Sequence, residues 1–581
     1  MTRLLMLQLF VCLAVAPVAA KGITIVKDGV PAAYIALPSD RTPSMRLGAE
    51  EIQRFIHEIS GATVTIIDGN VPGDPKEQES LRRSASIIVY ADSKLGEEEF
   101  RIRTERNSIV ISGGGKRGAL YGCYALLEEV LGVRWYNTRV TKVPKAATIT
   151  VPTLNIRQKP AFEYREPFWT EAFDASWAAR NRTNGNSQRL TDAQGGRMVY
   201  YPFVHTFSQL VPPDKYFAGH PEYFSMIGGK RVADKQLCLT NPDVLKIAVE
   251  QVKTWVREHP EATIFSVSQN DTDGNCQCPV CKAVETEEGA PSGVLLRFVN
   301  DVAEEVGKEY PNILIDTLAY QWSEKPPTLV KPRANVRIRI APISACFGHG
   351  LDGCDANKSA LANLKAWAKI TDQLYVWHYC TNFANYLQPL PDLDELAADI
   401  PLFKKTGVVG LFYEGAYAPG GGGEMAELKA WLTAKLMLNP SLKAKPLISE
   451  YLDGVYGPAA PMVKEWLDLL HAGPRADRKM EVRIYDPPTA AYLADATLDK
   501  GIGLFNDAEK SAAGNPPVLE EVDRARLALE YVLCMRRGAT YVPSGATEPI
   551  GKTLAAKIRL YGITQIREGE PVSEFLKRIG E

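Results

Sequence analysis

The stretch Ile264-Phe265-Ser266-Val267-Ser268-Gln269-Asn270-Asp271 carries most of the information about the fold of this chain. Apolar and small residues alternate in it as they do in a buried strand, and the strand then ends in an amide and a carboxylate. Such a polar pair is poorly placed for packing. In a (β/α)8 barrel, however, the carboxyl ends of the strands are where catalytic groups lie. The stretch therefore predicts an enzyme that works with carboxylates at the rim of a barrel.

Strand patterns alternate with helix patterns from about residue 160 onward, which favours an α/β fold with a (β/α)8, TIM-like barrel. Helical periodicity lies between most of the strands, as at residues 243–258 and 291–308. The eight predicted strands are 162–165, 201–205, 236–239, 263–268, 313–319, 336–341, 374–379 and 408–413. The polar residues at their ends are Glu166, His205, Asn270, Asp271, Tyr320, His378 and Glu414.

Two other regions flank the predicted barrel of residues 156–424. Residues 21–155 predict an α/β accessory domain. Its glycine run at 113–118 lacks the Lys-Ser/Thr ending of a phosphate-binding loop and is interpreted as a tight strand-to-helix turn. Residues 425–581 have a helical pattern without recognisable chemistry, and we expect them to pack against the barrel.

The first 20 residues have the pattern of a secretory signal peptide. Arg3 supplies the positive charge, residues 4–16 the apolar run and Val18-Ala19-Ala20 the cleavage site. No other stretch is apolar and long enough to cross a membrane. Lys and Arg (67) nearly balance Asp and Glu (69), so charge gives no reason to expect a nucleic-acid partner. We therefore expect a secreted or periplasmic protein that binds neither membranes nor nucleic acid.

Nine of the ten cysteines follow the predicted signal peptide. Three of them lie within the six residues 276–281, in the loop that follows Asp271. Cys276, Cys278 and Cys281, together with Cys238, could form a four-thiolate zinc site. The alternative is a loop held by disulfides, which export favours. Candidate partners for those disulfides are Cys346, Cys354 and Cys380. Either arrangement would brace the loop, and we assign no metal or cofactor to catalysis.

Two carboxylates on opposite strands of a barrel can cleave a glycosidic bond, one as proton donor and one in support of positive charge. Asp271 and Glu414 are the candidate catalytic pair, because each follows an apolar strand that would raise the pKa of a carboxyl group. We expect Asp271 to be the donor and Glu414 the second carboxylate. Asn270 could hold a 2-acetamido group of the substrate, or it could satisfy backbone groups.

Aromatic and histidine side chains near the strand ends are candidates for binding sugar rings and hydroxyl groups. They are His205, Tyr320, Trp377, His378 and Tyr413. The chain contains neither H-E-x-x-H nor G-x-S-x-G, which argues against a zinc protease and against a hydrolase with a nucleophile elbow. The substrate predicted by this pattern is a glycan or polysaccharide.

The chain also resembles a known family. Residues 113–122 and 131–135 resemble the accessory α/β domain that precedes the barrel in α-glucuronidases and β-hexosaminidases. Residues 25–470 as a whole are similar to proteins that contain the domain of unknown function 4838, associated with glycoside hydrolase family 163. The matching stretches of the central part are 236–242, 268–271 with the following Cys-x-Cys-x-x-Cys, 317–320, 375–379 and 412–415. The resemblance implies an endo-acting β-N-acetylglucosaminidase.

The leading hypothesis is thus a secreted glycoside hydrolase that cleaves β-linked N-acetylhexosamine-containing glycans by carboxylate or substrate-assisted chemistry. One alternative is an α-glucuronidase-like polysaccharide hydrolase. Another is a non-catalytic carbohydrate-binding barrel protein. A third is a metal-dependent hydrolase that uses the cysteine cluster.

Overall fold

The computed structural model describes residues 22–69 and 84–581, and the predicted signal peptide of residues 1–20 lies outside them. The chain divides into two units. The first comprises the chain up to Val133 together with Val143–Gln158, and the second comprises Arg134–Lys142 and Lys159–Glu581. No helix in the described part of the chain is both long and apolar enough to span a bilayer.

The first unit contains a mixed six-stranded sheet and a further pair of strands. The strands are β1 (Ile23–Lys27), β2 (Ala33–Leu37), β3 (Thr65–Asp68), β4 (Ala85–Ala91), β5 (Phe100–Glu105), β6 (Ser108–Gly113), β7 (Ile149–Val151) and β8 (Asn155–Gln158). The order in the sheet is β8-β5-β6-β4-β2-β3, and β1 pairs with β7. Among the described residues, the α-helices of this unit are α1 (Pro43–Ser60) and α2 (Gly118–Ala125). A Cβ atom at Gly113 would lie 1.9 Å from the Ala119 nitrogen, so the glycine run serves as a tight turn into α2.

The second unit is built on a curled sheet of six parallel strands. The strands are β9 (Tyr164–Phe168), β10 (Ile264–Ser266), β11 (Leu314–Tyr320), β12 (Val336–Ala341), β13 (Leu374–Tyr379) and β14 (Gly410–Glu414). Their order in the sheet is β9-β14-β13-β12-β11-β10. Residues in β12, β13 and β14 are buried throughout, as expected for parallel strands that are covered on both faces.

Two of the eight predicted strands are not strands in the structure. Residues 201–205 follow a single parallel bridge between Tyr200 and Ile264. Pro202 has no N–H for a ladder, and His205 has a left-handed backbone with φ of 56°. In the segment 236–239, Leu237 forms an antiparallel bridge with Phe224 instead of joining the parallel sheet. The predicted eight-stranded barrel is therefore a six-stranded parallel half-barrel within the described residues.

The interior of the curled sheet contains a buried cation. Arg339 is fully buried, and its Nε atom lies 3.5 Å from Oδ2 of the equally buried Asp316. The guanidinium carbon lies 4.5 Å from the ring centre of Tyr200 and 6.0 Å from that of Trp377. Burial raises the pKa of Asp316 to about 6, while the charge of Arg339 opposes this rise. The ion pair and the aromatic rings fill the space below the strand ends.

Helices follow several strands of the half-barrel, and most of the later part of the chain is helical. The helix α3 (Pro242–Glu258) shows how such an element begins, because the side chain of Asn241 accepts hydrogen bonds from its first two free N–H groups. A short strand, β15 (Gln565–Arg567), forms a hairpin near the end of the chain. The helices of ten or more residues are α3 (Pro242–Glu258), α4 (Pro279–Glu288), α5 (Ser292–Gly307), α6 (Lys358–Trp367), α7 (Leu393–Thr406), α8 (Ala426–Leu438), α9 (Ala444–Tyr456), α10 (Ala460–Ala476), α11 (Asp495–Ala512), α12 (Pro516–Arg537) and α13 (Ile550–Leu560).

Candidate active site

A cavity of about 230 Å³ lies at the carboxyl ends of the parallel strands. Both predicted catalytic carboxyl groups line it, and so do three of the predicted sugar-binding residues. The lining consists of His205, Asp271, Leu318, Tyr320, Ala341, Ile343, Trp377, Tyr379, Phe383, Glu414, Tyr417, Tyr485 and Glu568.

Three predicted site residues do not line this cavity, and strand geometry explains two of them. Successive side chains of a strand point to opposite faces, so Trp377 and Glu414 enter the cavity while His378 and Tyr413 point away from it. The His378 Nε2 atom lies 2.6 Å from Glu395 Oε1 in a buried hydrogen bond with α7. Burial lowers the pKa of His378 to about 4, so this imidazole is neutral. The structure therefore does not bring His378 and Tyr413 to this cavity, and a role for them in binding sugar stays a prediction.

Asn270 is the third residue outside the cavity lining. Its Oδ1 atom accepts a hydrogen bond from the Ser208 N–H at 3.0 Å, and its Nδ2 atom donates to the Lys235 carbonyl at 2.7 Å. The amide thus satisfies backbone groups of two neighbouring loops. These hydrogen bonds correspond to the interpretation in which Asn270 satisfies backbone groups. Glu166 is likewise buried away from the cavity, where its carboxylate accepts a hydrogen bond from the Ser187 N–H.

Glu414 is the buried carboxyl group of the cavity, with 7% of its surface exposed. Burial raises the pKa of Glu414 to about 8. A hydrogen bond from Trp377 Nε1 to Glu414 Oε2, 2.8 Å long, opposes the rise, and the negative charges of Glu568 and Asp271 add to it. A carboxyl group in this setting carries a proton at neutral pH, which is what a general acid requires.

Asp271 occupies a different environment on the same cavity. It is exposed to solvent, and its Oδ1 atom accepts a hydrogen bond of 3.1 Å from the Tyr320 hydroxyl. Gln321 Nε2 donates to that hydroxyl at 2.9 Å and so fixes its direction. The cavity therefore holds Glu414 as a buried carboxyl group and Asp271 as an exposed one.

His205 is held in the cavity wall by its own unusual backbone. Its φ of 56° lies in the left-handed region, which a residue with a side chain seldom adopts. The Nδ1 atom lies 2.8 Å from the carbonyl of Gln269 and donates a hydrogen bond to it. In the neutral tautomer this leaves Nε2 with a free lone pair, which can accept a hydrogen bond from a sugar hydroxyl.

The later part of the chain, predicted to lack chemistry, contributes to the cavity as well. Tyr485 and Glu568 both line it, and Glu568 lies in the turn of the β15 hairpin. The Tyr417 hydroxyl donates to Glu568 Oε1 at 2.9 Å, and the Glu568 N–H donates to the Phe383 carbonyl at 3.0 Å. Neither residue stands at the end of a predicted strand. Reasoning from strand ends could therefore not find them.

Four buried cysteines lie close together, namely Cys238, Cys276, Cys278 and Cys281. The distances from Cys238 Sγ to Cys278 Sγ and Cys281 Sγ are 3.7 and 3.9 Å. All nine cysteines in the described part of the chain are free thiols, so the expected disulfides are not formed. The suggested partners lie elsewhere, since Cys346 and Cys354 form a separate group with His349.

Comparison with solved structures gives low sequence identities over long stretches. A family GH115 4-O-methyl-alpha-glucuronidase with specificity for decorated arabinogalactans is 14% identical, with a TM-score of 0.56, over 93% of this chain and 77% of that chain. The structure of CpGH84B is 11% identical, with a TM-score of 0.47, over 96% and 97%. A GH20 exo beta-N-acetylglucosaminidase from Vibrio harveyi is 12% identical, with a TM-score of 0.42, over 74% of each chain.

At these identities the first similarity shows a shared fold and nothing further. Comparison with curated proteins finds no significant match. A family pattern does match, and it confirms the resemblance to proteins with the domain of unknown function 4838. The family described as Domain of unknown function (DUF4838) matches residues 135–468, more than half of the chain, and the chain belongs to this family.

Proposed function

We propose that this protein is a glycoside hydrolase that cleaves β-linked N-acetylhexosamine-containing glycans. The observation that carries the proposal is a single cavity in which two of the carboxyl groups are in opposite settings, Glu414 buried and Asp271 exposed. Two carboxyl groups in such different environments can divide the role of acid and the role of charge stabiliser between them. This division is what cleavage of a glycosidic bond requires.

In this proposal Glu414 protonates the leaving oxygen. Its burial and its raised pKa, about 8, support the role of acid at neutral pH. The sequence pattern favoured Asp271 as the donor, because it ends an apolar strand beside Asn270, an amide that could hold a substrate acetamido group. The proposal exchanges these roles, because Asp271 is exposed and accepts a hydrogen bond.

Asp271 and Tyr320 together suit the amide of a 2-acetamido group. An amide offers one N–H donor and one carbonyl acceptor. Asp271 accepts from the N–H, and the Tyr320 hydroxyl, which donates to Asp271 Oδ1 in the structure, turns to donate to the carbonyl. Leu318, Ala341 and Ile343 line the same cavity and offer an apolar wall to the methyl group. We therefore propose substrate-assisted cleavage, in which the acetamido carbonyl attacks the anomeric carbon and Asp271 stabilises the positive charge.

The charge of the cavity argues against the glucuronidase alternative. Three carboxyl groups line the cavity, from Asp271, Glu414 and Glu568, whereas no lysine or arginine appears among its described lining residues. A uronic acid would bring a further negative charge without a cation to pair with it, and burying an unpaired charge is costly. A neutral N-acetylhexosamine fits this lining better.

We also propose that the protein acts after export, because residues 1–20 have the pattern of a signal peptide. N-terminal sequencing of the protein recovered from its native host tests this directly. A mature chain that begins near Lys21 is expected, and a chain that retains Met1 would contradict it.

The experiment that tests the function is a product profile on a panel of glycans. The panel contains β-linked N-acetylhexosamine glycans, uronic-acid-bearing polysaccharides and aryl glycosides. We expect new reducing ends only from substrates with N-acetylhexosamine, and loss of this activity in Asp271→Asn. The matched control is Asp273→Asn, which changes an exposed carboxylate of the same loop outside the cavity. Release of uronic acid would support the glucuronidase alternative, and binding without turnover would support the carbohydrate-binding alternative.

A further inference from the structure

We propose that Cys238, Cys276, Cys278 and Cys281, here called the cysteine cluster, form a structural zinc site beside the candidate active site. The four residues come from two segments of the chain, one just before α3 and one that runs from the loop after β10 into the first turn of α4. Each of the four is at most 6% exposed, and their Sγ atoms all lie within 4.8 Å of one another. This site is separate from the proposed glycosidase chemistry.

The distances between the sulfur atoms match a tetrahedral metal site. Four sulfur atoms at about 2.3 Å from a central zinc ion lie about 3.8 Å from one another. The observed distances of 3.7 Å from Cys238 to Cys278 and 3.9 Å from Cys238 to Cys281 agree with this value. A disulfide requires sulfur atoms about 2.05 Å apart, so the cluster has the geometry of metal ligands and not of two disulfides.

The groups around the cysteine cluster suit bound thiolates. The N–H of Met226 donates to Cys276 Sγ at 3.3 Å, and Arg231 Nη1 donates to the same sulfur at 3.6 Å. The Thr240 hydroxyl lies 3.1 Å from Cys281 Sγ. Four thiolates around a divalent ion leave two negative charges, which the guanidinium and these donors offset. With all four positions taken by protein, such a site leaves no place for a reacting water and is structural.

The cysteine cluster is joined directly to the loop that holds Asp271. Gln236, two residues before Cys238, donates through Nε2 to the carbonyls of Asn270 and Thr272 at 2.9 and 2.6 Å. Its Oε1 atom accepts the Asn270 N–H at 3.0 Å. On the other side, Cys276 follows Asp271 by five residues. The zinc ion therefore fixes both ends of the segment that places the exposed carboxylate.

The metal content of the purified full-length protein tests this inference. We expect about one zinc per chain in the wild type and less than about a fifth of that in Cys278→Ser, as for a four-thiolate site that has lost a ligand. The matched control is Cys354→Ser, which removes a cysteine of the separate group with Cys346 and His349 and should keep the zinc. Iron in place of zinc, or unchanged zinc in Cys278→Ser, would overturn the assignment.

A second measurement on the wild type does not depend on how a variant folds. Thiol alkylation followed by mass spectrometry is carried out on the native protein, with and without prior treatment with a strong chelator. We expect the four cysteines of the cluster to become reactive only after chelation, while the reactivity of Cys354 is unchanged. Cluster cysteines that react only after reduction by a thiol reagent would identify disulfides and refute the zinc site.

Discussion

Replacing Glu414 by Gln keeps the size of the side chain and its capacity to bond to Trp377, but removes the proton that Glu414 is proposed to deliver. General acid catalysis contributes about 10²–10⁴-fold to such reactions. We therefore expect kcat/KM on a natural β-linked glycan to fall by about 10²–10⁴-fold, the full contribution of the acid. The leaving group of an activated aryl glycoside departs without a proton. The fall of kcat/KM on that substrate is therefore expected to stay below about tenfold.

The pH dependence of the wild type follows from the raised pKa of Glu414, about 8. The acid must be protonated to act, so kcat/KM should fall about tenfold for each pH unit above about 8. The fall should be absent from the residual activity of Glu414→Gln on the same natural glycan. Initial rates between pH 5 and 10 measure both enzymes.

Two neighbours of Glu414 should move this alkaline limb in opposite directions. Glu568 raises the pKa of Glu414 by its charge, so Glu568→Gln should shift the limb to lower pH. Trp377 lowers it through its hydrogen bond, so Trp377→Phe should shift the limb to higher pH. If Asp271→Asn abolishes the limb while Glu414→Gln keeps it, the proposed roles are wrong and must be exchanged.

Three further predictions concern the supporting residues. The folded state binds the proton of Glu414 more tightly than the unfolded state, so the stability that this group contributes is complete below pH 4.5 and is lost as the pH rises through about 8. Over this window the free energy of unfolding, measured by urea titration at each pH, should fall by about 1.4 kcal/mol per pH unit more steeply in the wild type than in Glu414→Gln. Parallel pH dependences of the two proteins would contradict this. Tyr320→Phe removes the hydrogen bond to Asp271 and should lower kcat about 10- to 100-fold, because a hydrogen bond to a charged group contributes about 1.5–3 kcal/mol; unchanged kinetics would exclude the pair from the reaction. Arg339→Ala leaves Asp316 buried without its partner and should lower the free energy of unfolding by about 3–5 kcal/mol, whereas a loss no larger than that of the exposed control Lys510→Ala would show that the ion pair is not needed.

Five of the six parallel strands were predictable because each is a short, mostly apolar run bounded by polar or turn residues. The predicted strand 162–165 only overlaps β9, which contains Arg165, Glu166 and Pro167. The two failures have local causes. Residues 201–205 have an apolar pattern, but Pro202 and the left-handed backbone of His205 prevent a ladder. Residues 236–239 also look like a strand, but Leu237 pairs with Phe224 in an antiparallel bridge, and Cys238 belongs to the cysteine cluster.

The strand-end rule brought Asp271, Glu414, His205, Tyr320 and Trp377 to one cavity, because parallel strands end at the same edge. It failed where two neighbouring residues were both assigned to that cavity. Pleating allows Trp377 or His378 to enter it, but not both, and the same holds for Glu414 and Tyr413.

Other features depend on tertiary structure and have no local signal. Glu568 lies 154 residues beyond Glu414 in the chain, and only the fold brings the β15 hairpin over the cavity. The difference in burial between Asp271 and Glu414, which decides their proposed roles, also arises from packing. Both residues follow apolar strands, so the sequence pattern could not show that one is buried and the other exposed.

The most direct test of the central claim compares two β-linked oligosaccharides that differ only in the acetyl group on the 2-amino nitrogen. The release of reducing ends by the wild type is measured on both at equal concentration. The proposed use of Asp271 and Tyr320 on the 2-acetamido group predicts cleavage of the acetylated oligosaccharide and none of the deacetylated one. Equal rates on the two substrates, or cleavage of the deacetylated one alone, would contradict the proposal.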